Sequence, residues 1–391
     1  MRSIAKRAAI VGMGVSDFSK DSGRTELGMT CECIRAALDD AGLVPPDIDG
    51  IVKHADDGTD EHAITSAMGM GNLTYFGECR WDGSACGMVQ RAAIGVATGM
   101  ANYVVVYRAV NGASGRRQGT SSRNMAQLAT GALVQWTYHA PFGLMSEAGR
   151  VAMTVRRYMH DYGVNGDLFG WVTAVCREHG ARNPNGLLYD RPVTMEDYLR
   201  SKVIVDPIRA LDCYQEADSC VAMIVTTVEK AERLKQQPAY ILGGVQTILA
   251  ETEEKNSFYG PEVGGLPEIG RMGERLFQMA GVGPKDISVA QLDDSYAPLV
   301  PMQLEELGFC GRGEGASFCE GGDRIRVGGE LPLNTSGGSL GEGFIYGMNH
   351  VAEAVRQIRG TSTAQVKGAK LSLVATGAGG PASGLILGGS R

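Results

Sequence analysis

One glycine-rich stretch, residues 334–347 (NTSGGSLGEGFIYG), combines a permissive backbone with side chains that can do chemistry. Glycines let the backbone approach a ligand closely, and a glycine-rich turn before a helix offers N–H donors to an anion or an oxyanion. Residues 350–359 follow with the apolar spacing of a helix. The stretch therefore predicts a ligand-binding turn that contains Asn334, Gly337 and Gly338 and carries Tyr346 near its end.

The spacing of this stretch resembles the thiolase pattern Asn-x-x-Gly-Gly-x-x-x-x-Gly-His-Pro-x-Gly. The asparagine and glycines of that pattern are kept at Asn334, Gly337, Gly338, Gly343 and Gly347. Phe344 stands where a thiolase has its catalytic histidine, and Ile345 stands in place of the proline. The resemblance covers essentially the whole chain and is strongest to the lipid-transfer-protein (sterol-carrier thiolase) branch.

A thiolase also needs a nucleophilic cysteine at a helix N-terminus, where its pKa is lowered. Counting back from Gly99 places Asp82 at that position, and Cys86 follows one helical turn later. Asp82 is expected to cap its helix, while Cys86 is either a displaced nucleophile or a small buried hydrophobe. The C-terminal Cys-x-Gly-x-Gly motif reads ATGAGG at residues 375–380, without a cysteine. We therefore predict that the acyl-enzyme route is closed.

Two tyrosines stand near the positions that the thiolase residues have left. Tyr296 ends the sequence DDSY at residues 293–296, where thiolases have Asn-Glu-x-Phe, and Tyr346 lies two residues past the missing histidine. A phenol usually donates a hydrogen bond, but in a desolvated site it can also act as an acid or a base. The alternative is that both are core tyrosines with satisfied hydroxyl groups. Because the two motifs converge on one pocket in thiolases, the resemblance favours the functional interpretation.

This substitution pattern resembles the thiolase-like aldolases of steroid side-chain degradation. The resemblance implies retro-aldol cleavage of a steroid 17-hydroxy-20-carboxyl-CoA to a 17-ketone and propanoyl-CoA. Such a reaction needs a base for the β-hydroxyl proton, donors for the thioester enolate and an acid to protonate it. It needs neither a covalent nucleophile nor a cofactor, and we predict none.

Within this hypothesis, Tyr346 takes the hydroxyl proton and Tyr296 protonates or steadies the enolate, or the two roles are exchanged. Backbone N–H groups would form the oxyanion hole. These groups are expected near Gly337 and Gly338 and within residues 377–380, which include Gly379 and Gly380.

Two further side chains are candidates for supporting roles. Asp294 would orient a phenol or, alternatively, cap a helix predicted over residues 297–307. His350 lies one helical turn past Tyr346 and would assist it, or would simply pack within its helix.

The resemblance also implies a small partner protein with an OB-fold and a zinc ribbon, which helps to bind the CoA ester. A homodimer core and a heterotetramer with that partner are expected. The chain itself has no nucleotide-phosphate motif, and Cys31 and Cys33 are too close together for a zinc pair of the CxxC type. Zinc is therefore expected only in the partner, and no metal site in this chain.

Two other functions stay open at this point. One is a Claisen-type thiolase or acyltransferase that uses Cys86 as its nucleophile. The other is a non-catalytic scaffold that binds lipid or acyl-CoA. Loss of turnover in Cys86→Ala would indicate the first, and binding without turnover in the presence of the partner would indicate the second.

Composition sets the broad class. The chain has 391 residues, 43% apolar and 21% charged, which is typical of a globular protein. Its formal net charge of −7 gives no basic footprint for nucleic acid. No apolar run approaches the roughly 18 residues of a membrane-spanning helix. Nine cysteines scattered through the chain indicate reduced thiols in a cytoplasmic protein.

An internal repeat indicates how these residues are positioned. Residues 41–49 (AGLVPPDID) and 280–288 (AGVGPKDIS) align with five identities, and each reads as a helix end, a turn and a strand start. Matching strand patterns on both sides predict a duplicated α/β fold. The thiolase resemblance implies that this fold consists of two βαβαβαββ halves, which are arranged in five αβαβα layers. We expect the halves at residues 1–236 and 237–391, with a helical loop region inserted at about 113–215.

Overall fold

The computed structural model describes residues 4–81, 83–115, 137–250 and 263–390. Asp82 and residues 116–136 of the expected loop region lie outside these ranges. None of the helices within them has the length and apolar character that a membrane crossing requires.

Strands and helices follow one another along the described chain. The strands are β1 (Ala8–Val15), β2 (Gly50–His54), β3 (Tyr75–Cys79), β4 (Tyr103–Asn111), β5 (Val203–Val205), β6 (Ile208–Arg209), β7 (Asp218–Thr227), β8 (Ala239–Thr247), β9 (Val289–Leu292), β10 (Leu371–Thr376) and β11 (Ala382–Gly388). The helices are α1 (Glu26–Ala41), α2 (Glu61–Met68), α3 (Ala85–Ala97), α4 (Glu147–Tyr162), α5 (Gly170–Gly180), α6 (Met195–Arg200), α7 (Val228–Ala231), α8 (Pro267–Ala280), α9 (Leu299–Glu306), α10 (Gly315–Cys319), α11 (Gly338–Gly341) and α12 (Met348–Arg359).

Nine strands form one sheet in the order β3-β2-β4-β7-β1-β8-β11-β10-β9. The order reads the same from both ends: β2 and β4 are parallel, as are β9 and β10, whereas β7 and β11 each run antiparallel to both neighbours. The two sets meet where β1 pairs with β8. A parallel bridge from Ala290 to Leu333 marks the place that corresponds to β3. This symmetry confirms the predicted duplication.

The repeated sequence adopts the same conformation in both halves. Gly42 ends α1 and Gly281 ends α8, with φ of 75° and 72° respectively. A glycine in this left-handed conformation is the usual way to end a helix, because it has no Cβ to clash. A short 3₁₀ turn follows each glycine, at Pro45–Asp47 and Pro284–Asp286. The nine-residue match is therefore a structural repeat rather than a coincidence of sequence.

Helices cover the strands in layers. α3 and α12 are buried almost throughout and pack against strands of both halves. α1 covers the outer face of the first half, and α8 covers that of the second. When the two halves of the sheet are counted separately, the order helix, sheet, helix pair, sheet, helix agrees with the expected five layers.

The loop region supplies α4, α5 and α6, and its apolar side chains join the core of the second half. These three helices agree with the helical character expected of this region. Two other helices differ at their ends: the one predicted over 297–307 is α9, and the one predicted from residue 350 begins at Met348. The boundary expected at residues 236–237 falls between α7 and β8 and stays a prediction.

A first prediction concerns the contact between β1 and α1. A Cβ at Gly12 would lie 2.2 Å from the carbonyl oxygen of Ala37, a backbone atom that cannot move aside by rotation. We expect Gly12→Ala to destabilise the protein by about 1–3 kcal/mol, the range for overpacking a close-packed core, and to lower the Tm. The matched control is Gly283→Ala, where the new Cβ would meet nothing closer than 3.9 Å. Equal Tm values for the two variants would contradict this account.

Candidate active site

The glycine-rich stretch makes a series of turns with left-handed backbone. Its residues with positive φ are Asn334 (45°), Gly337 (106°), Gly338 (59°), Gly343 (142°), Tyr346 (56°) and Gly347 (87°). For a bulky side chain such a conformation is uncommon and costs about 1–2 kcal/mol. Strain of this kind persists where surrounding contacts impose it, and it is common at functional sites. Tyr346 is therefore held in a conformation that a tyrosine would not choose by itself.

Asn334 ties this stretch to the end of β9. Its side-chain oxygen accepts a hydrogen bond from the N–H of Leu292 at 2.8 Å, and its amide nitrogen donates to the Leu292 carbonyl at 3.0 Å. The side chain is completely buried. Asn334, predicted to bind substrate, thus has its amide occupied by the backbone of β9.

Close approach explains the two adjacent glycines. A Cβ at Gly337 would lie 2.5 Å from the Cα of Gly180, and a Cβ at Gly338 would lie 2.0 Å from the Oδ2 atom of Asp294. The N–H of Gly337 donates to the carbonyl of Asn334. Within the described residues, the N–H of Gly338 donates to no protein group.

The turn at residues 377–380 has a comparable arrangement. Asp293 accepts hydrogen bonds from the N–H groups of Gly377 and Ala378, both at 3.0 Å. The N–H of Gly380 donates to the carbonyl of Gly377. Among the expected oxyanion donors of this turn, only the N–H of Gly379 has no acceptor in the described part of the chain.

Asp294 is completely buried and joins two parts of the site. Its carboxylate accepts hydrogen bonds from the N–H groups of Ser339 at 2.8 Å and Leu340 at 3.4 Å. Its Oδ1 atom, which accepts the Ser339 N–H, also lies 3.1 Å from Nε2 of His350. The alternative that Asp294 caps the helix after it is wrong, because the groups it caps belong to α11 rather than to α9.

Asp294 and His350 form a buried ion pair. Burial raises the pKa of the Asp294 carboxyl, but the hydrogen bonds and charge of His350 and the Ser339 N–H outweigh it and hold the pKa below the usual range. Burial lowers the pKa of His350, but Asp294, with the charges of Asp293 and Glu342, raises it above the ordinary value. Both shifts favour a carboxylate beside an imidazolium.

A small, partly open pocket lies beside His350 of this pair. Its lining comes from the two halves of the glycine-rich stretch, the 293–295 segment and the end of β10: Asp293, Ser295, Ser339, Phe344, Tyr346, Gly347, His350 and Thr376. Tyr346 and His350 therefore both line this pocket, and the roles expected for them stay predictions. We call this group of residues the cleft.

Tyr296 is not among the side chains that line the cleft. An aromatic row separates it from Tyr346: Tyr214 packs edge-on against Tyr296 at 5.9 Å between centroids, and Phe344 lies 4.3 Å from Tyr214 and 4.7 Å from Tyr346. Burial first, and then the nearby charge of Glu147, raise the pKa of the Tyr296 phenol. The two tyrosines thus belong to one aromatic cluster, but only Tyr346 faces the cavity.

Comparison with known proteins agrees with this geometry. A family profile described as "Thiolase C-terminal domain-like" matches residues 255–387. The chain is 46% identical to a 17-hydroxy-3-oxo-4-pregnene-20-carboxyl-CoA lyase of Mycobacterium tuberculosis, over 98% of this chain and 100% of the relative. It is also 46% identical to a steroid side-chain-cleaving aldolase of Thermomonospora curvata, over 98% of each protein.

The chain belongs to the thiolase-like, steroid side-chain-cleaving aldolase family.

Solved structures give the same result. A structure described as "Ltp2-ChsH2(DUF35) aldolase" superposes with a TM-score of 0.95 at 44% identity and covers the whole of both chains. A human mitochondrial 3-ketoacyl-CoA thiolase superposes with a TM-score of 0.68 at 14% identity over 99% of each chain. The second match shows the fold alone, and it confirms the predicted thiolase architecture.

The thiol that a thiolase interpretation would require is not available in this family member. Cys86 is the second residue of α3 and is completely buried. Burial raises the pKa of its thiol to about 12, although hydrogen bonds with Thr376 and Ser383 lower it in part. A thiolate is the nucleophilic form, so such a thiol is inert at neutral pH. The buried-hydrophobe interpretation of Cys86 fits the structure, and Asp82 lies outside the described residues.

Sequence reasoning missed three residues that contact Tyr346 or lie just behind it. The guanidinium carbon of Arg108 lies 4.0 Å from the Tyr346 ring centroid, and the His54 ring lies 5.7 Å from it. Asp57 forms a buried ion pair with Arg108. One signal was present: Arg108 interrupts the apolar run of β4 (YVVVYRAVN), and a charge inside a buried strand must have a partner.

The described residues include no group of three or more His, Cys, Asp or Glu side chains that could hold a metal ion. The expectation that this aldolase family member needs no cofactor stays a prediction.

The buried ion pair of Asp294 and His350 leads to a second testable prediction. Its stability contribution is complete between the ordinary pKa values of Asp and His, about 3.9 and 6.5. The part from His350 is lost as pH rises through its raised pKa, and the part from Asp294 is lost as pH falls through its lowered pKa. We expect Asp294→Asn to lower the pKa of His350, because a carboxylate charge no longer opposes the effect of burial on the imidazolium.

NMR titration of the imidazole signals measures this change. The exposed His160 provides a signal that the substitution should leave unchanged. A His350 signal that titrates as before in Asp294→Asn would show that the carboxylate does not control the protonation of the histidine.

Proposed function

We propose that this chain is the thiolase-fold subunit of an aldolase that cleaves the side chain of a steroid CoA thioester. The substrate is of the 17-hydroxy-20-carboxyl-CoA type, and the products are a 17-ketosteroid and propanoyl-CoA. The observation that carries the proposal is the 46% identity, over nearly the whole chain, to two relatives named for this lyase and aldolase activity. The buried thiol of Cys86 and the phenol of Tyr346 in the cleft support it.

The proposed reaction moves one proton and breaks one carbon–carbon bond. Tyr346, as phenolate, takes the proton of the C17 hydroxyl group. The bond between C17 and the side-chain carbon next to the thioester breaks, and its electron pair passes into the thioester enolate. A proton returned to that carbon gives propanoyl-CoA, so that the reaction consumes no free CoA and no oxidant. A covalent nucleophile has no part in this sequence.

Two groups are candidates to protonate the enolate. His350 lines the cleft, and its raised pKa favours the imidazolium, which is the acidic form. Tyr296 stands one aromatic layer further from the cavity. We assign the protonation of the enolate to His350, which Asp294 orients. We assign Tyr296 a packing role in the aromatic row behind Tyr346.

For the enolate oxygen we propose the N–H groups of Gly338 and Gly379. The other expected donors, Gly337 and Gly380, are engaged in turn hydrogen bonds. Backbone donors that are fixed before the reaction stabilise a developing oxyanion without reorganisation. Their placement toward the substrate is part of the proposal.

We further propose that the chain works with a small DUF35-type partner, built from an OB-fold and a zinc ribbon, that helps to bind the CoA ester. The similar solved structure carries ChsH2(DUF35) in its printed name. A homodimer core is proposed at the sheet edge, because β3 pairs with β2 alone among the described residues and exposes the ring of Phe76. An edge strand with an exposed apolar side chain favours pairing with another chain.

The tyrosine assignment leads to a third prediction. Removing the hydroxyl group in Tyr346→Phe should reduce kcat/KM by about 10²–10⁴-fold, the usual contribution of a general base. Cys86→Ala should retain turnover, because no acyl-enzyme forms. The assay incubates the complex with a steroid β-hydroxyacyl-CoA and quantifies the ketone and propanoyl-CoA by mass spectrometry.

The control for loss of a phenol is Tyr162→Phe, on the exposed side of α4. Full activity in Tyr346→Phe would refute the assignment of the base. A product that appears only when free CoA is added would indicate thiolysis and return Cys86 to consideration. No turnover with the partner present would favour the scaffold function.

The fourth prediction concerns assembly. Co-expression in the native host, followed by pull-down and light scattering, should give a particle with two copies of this chain and two of the small partner. A monomer of about 41.4 kDa, with no bound partner, would contradict the proposed assembly.

A further inference from the structure

A buried cation lies against the ring face of Tyr346. The guanidinium carbon of Arg108 is 4.0 Å from the ring centroid, and the arginine is 2% exposed. Arg108 comes from β4 in the first half of the fold, whereas Tyr346 belongs to the second. Arg108 is not among the residues that line the cleft, and the ring of Tyr346, which it contacts, does line it.

Asp57 holds this arginine in place. Its Oδ1 atom lies 2.6 Å from Nη1 of Arg108, and both side chains are almost completely buried. Burial raises the pKa of Asp57 to about 6, although the Arg108 charge acts to lower it. Above that pH the carboxylate balances the guanidinium, which stays charged at all relevant pH values.

The other groups around the ring leave Arg108 as the cation in contact with its face. His54 stays neutral, because burial and the charge of Arg108 lower its pKa to about 3, and its Nδ1 atom accepts the N–H of Asp56. Lys53, next to it on β2, lies 3.1 Å from Glu78 and is balanced by it. From the second half, the charged groups are Asp293 and His350, which face the cleft, and Asp294 behind His350.

We propose that Arg108 is a positioning residue that stabilises the ionised form of Tyr346 and thereby prepares it to accept the substrate's hydroxyl proton. The inference rests on the proposed retro-aldol function of the same site. An unperturbed phenol ionises near pH 10, and burial by itself disfavours the phenolate. A cation within about 4–6 Å favours the charged form by about 1–3 pH units, and the ring face attracts a guanidinium. Asp57 opposes this effect, so the two residues should act in opposite directions.

The first experiment measures ionisation without turnover. 3-Fluorotyrosine is incorporated at position 346 of the chain in its native complex, and the ¹⁹F signal is followed against pH. Arg108→Met should raise the ionisation midpoint by about 1–3 pH units. Asp57→Asn should lower it, and Arg108→Lys should keep part of the effect because it retains the charge. The double variant Arg108→Met/Asp57→Asn removes both charges and leaves neither partner buried alone, and it should raise the midpoint by less than Arg108→Met does.

The second experiment measures kcat/KM against pH in the same variants with unmodified tyrosine. The ascending limb should move in the same direction as the ¹⁹F midpoint, so that Arg108→Met loses about ten-fold or more at neutral pH and recovers as pH rises. A merely structural arginine would lower the plateau without moving the limb.

The two failures are distinguishable. An unchanged ¹⁹F midpoint in both Arg108→Met and the double variant, or shifts of one sign in Arg108→Met and Asp57→Asn, would overturn the role of Arg108. Absence of turnover in the unsubstituted complex would overturn the proposed function instead, whatever the ¹⁹F titration gives.

Discussion

The candidate site depends on one buried carboxylate, Asp294, which is contacted by two segments of the chain. The backbone N–H groups of α11 donate hydrogen bonds to it, and Nε2 of His350, near the start of α12, lies 3.1 Å from its Oδ1 atom. A buried carboxylate without partners would be costly, so these contacts stabilise it. The carboxylate also requires a glycine at position 338, since any Cβ there would overlap it. Asp294 thus links the turn to the helix that carries His350.

A second buried carboxylate fixes the other end of the same turn. Glu342 accepts hydrogen bonds from Ser336 and Asn183 and pairs with Arg356, all in the interior. Tyr346, with a φ of 56°, lies between Glu342 and His350, and both of these side chains have buried polar contacts. The strain at that residue is maintained by polar contacts on both sides of it, rather than by the tyrosine's own preference.

Parts of this arrangement were predictable from sequence because they follow short-range rules. The glycine at each helix end, the repeat at 41–49 and 280–288, and the neighbourhood of Tyr346 and His350 depend on local spacing. The contacts of Asp294 and Arg108 were not predictable, because their partners are about 45 and 51 positions away along the chain. No periodicity relates residues that far apart. Only the chemical anomaly, a charge within an apolar strand, indicated that a partner had to exist.

The proposed chemistry needs few changes from a thiolase frame. A Claisen thiolase and a retro-aldolase both pass through the enolate of a CoA thioester, so the same backbone turns can serve both. They differ in the catalytic groups. A thiolase needs a thiolate with an acid–base pair, whereas a retro-aldolase needs a base that removes the proton of a hydroxyl group.

Here Phe344 fills the position of the lost histidine and packs against Tyr346, and Cys86 is buried in α3. The apolar ring removes water from one side of the phenol, and Arg108 supplies a charge on its face. Desolvation alone would make the phenol a poor source of phenolate, and the cation alone, in water, would be screened. In the proposed mechanism, the two together make a base of a side chain that is ordinarily neutral at pH 7.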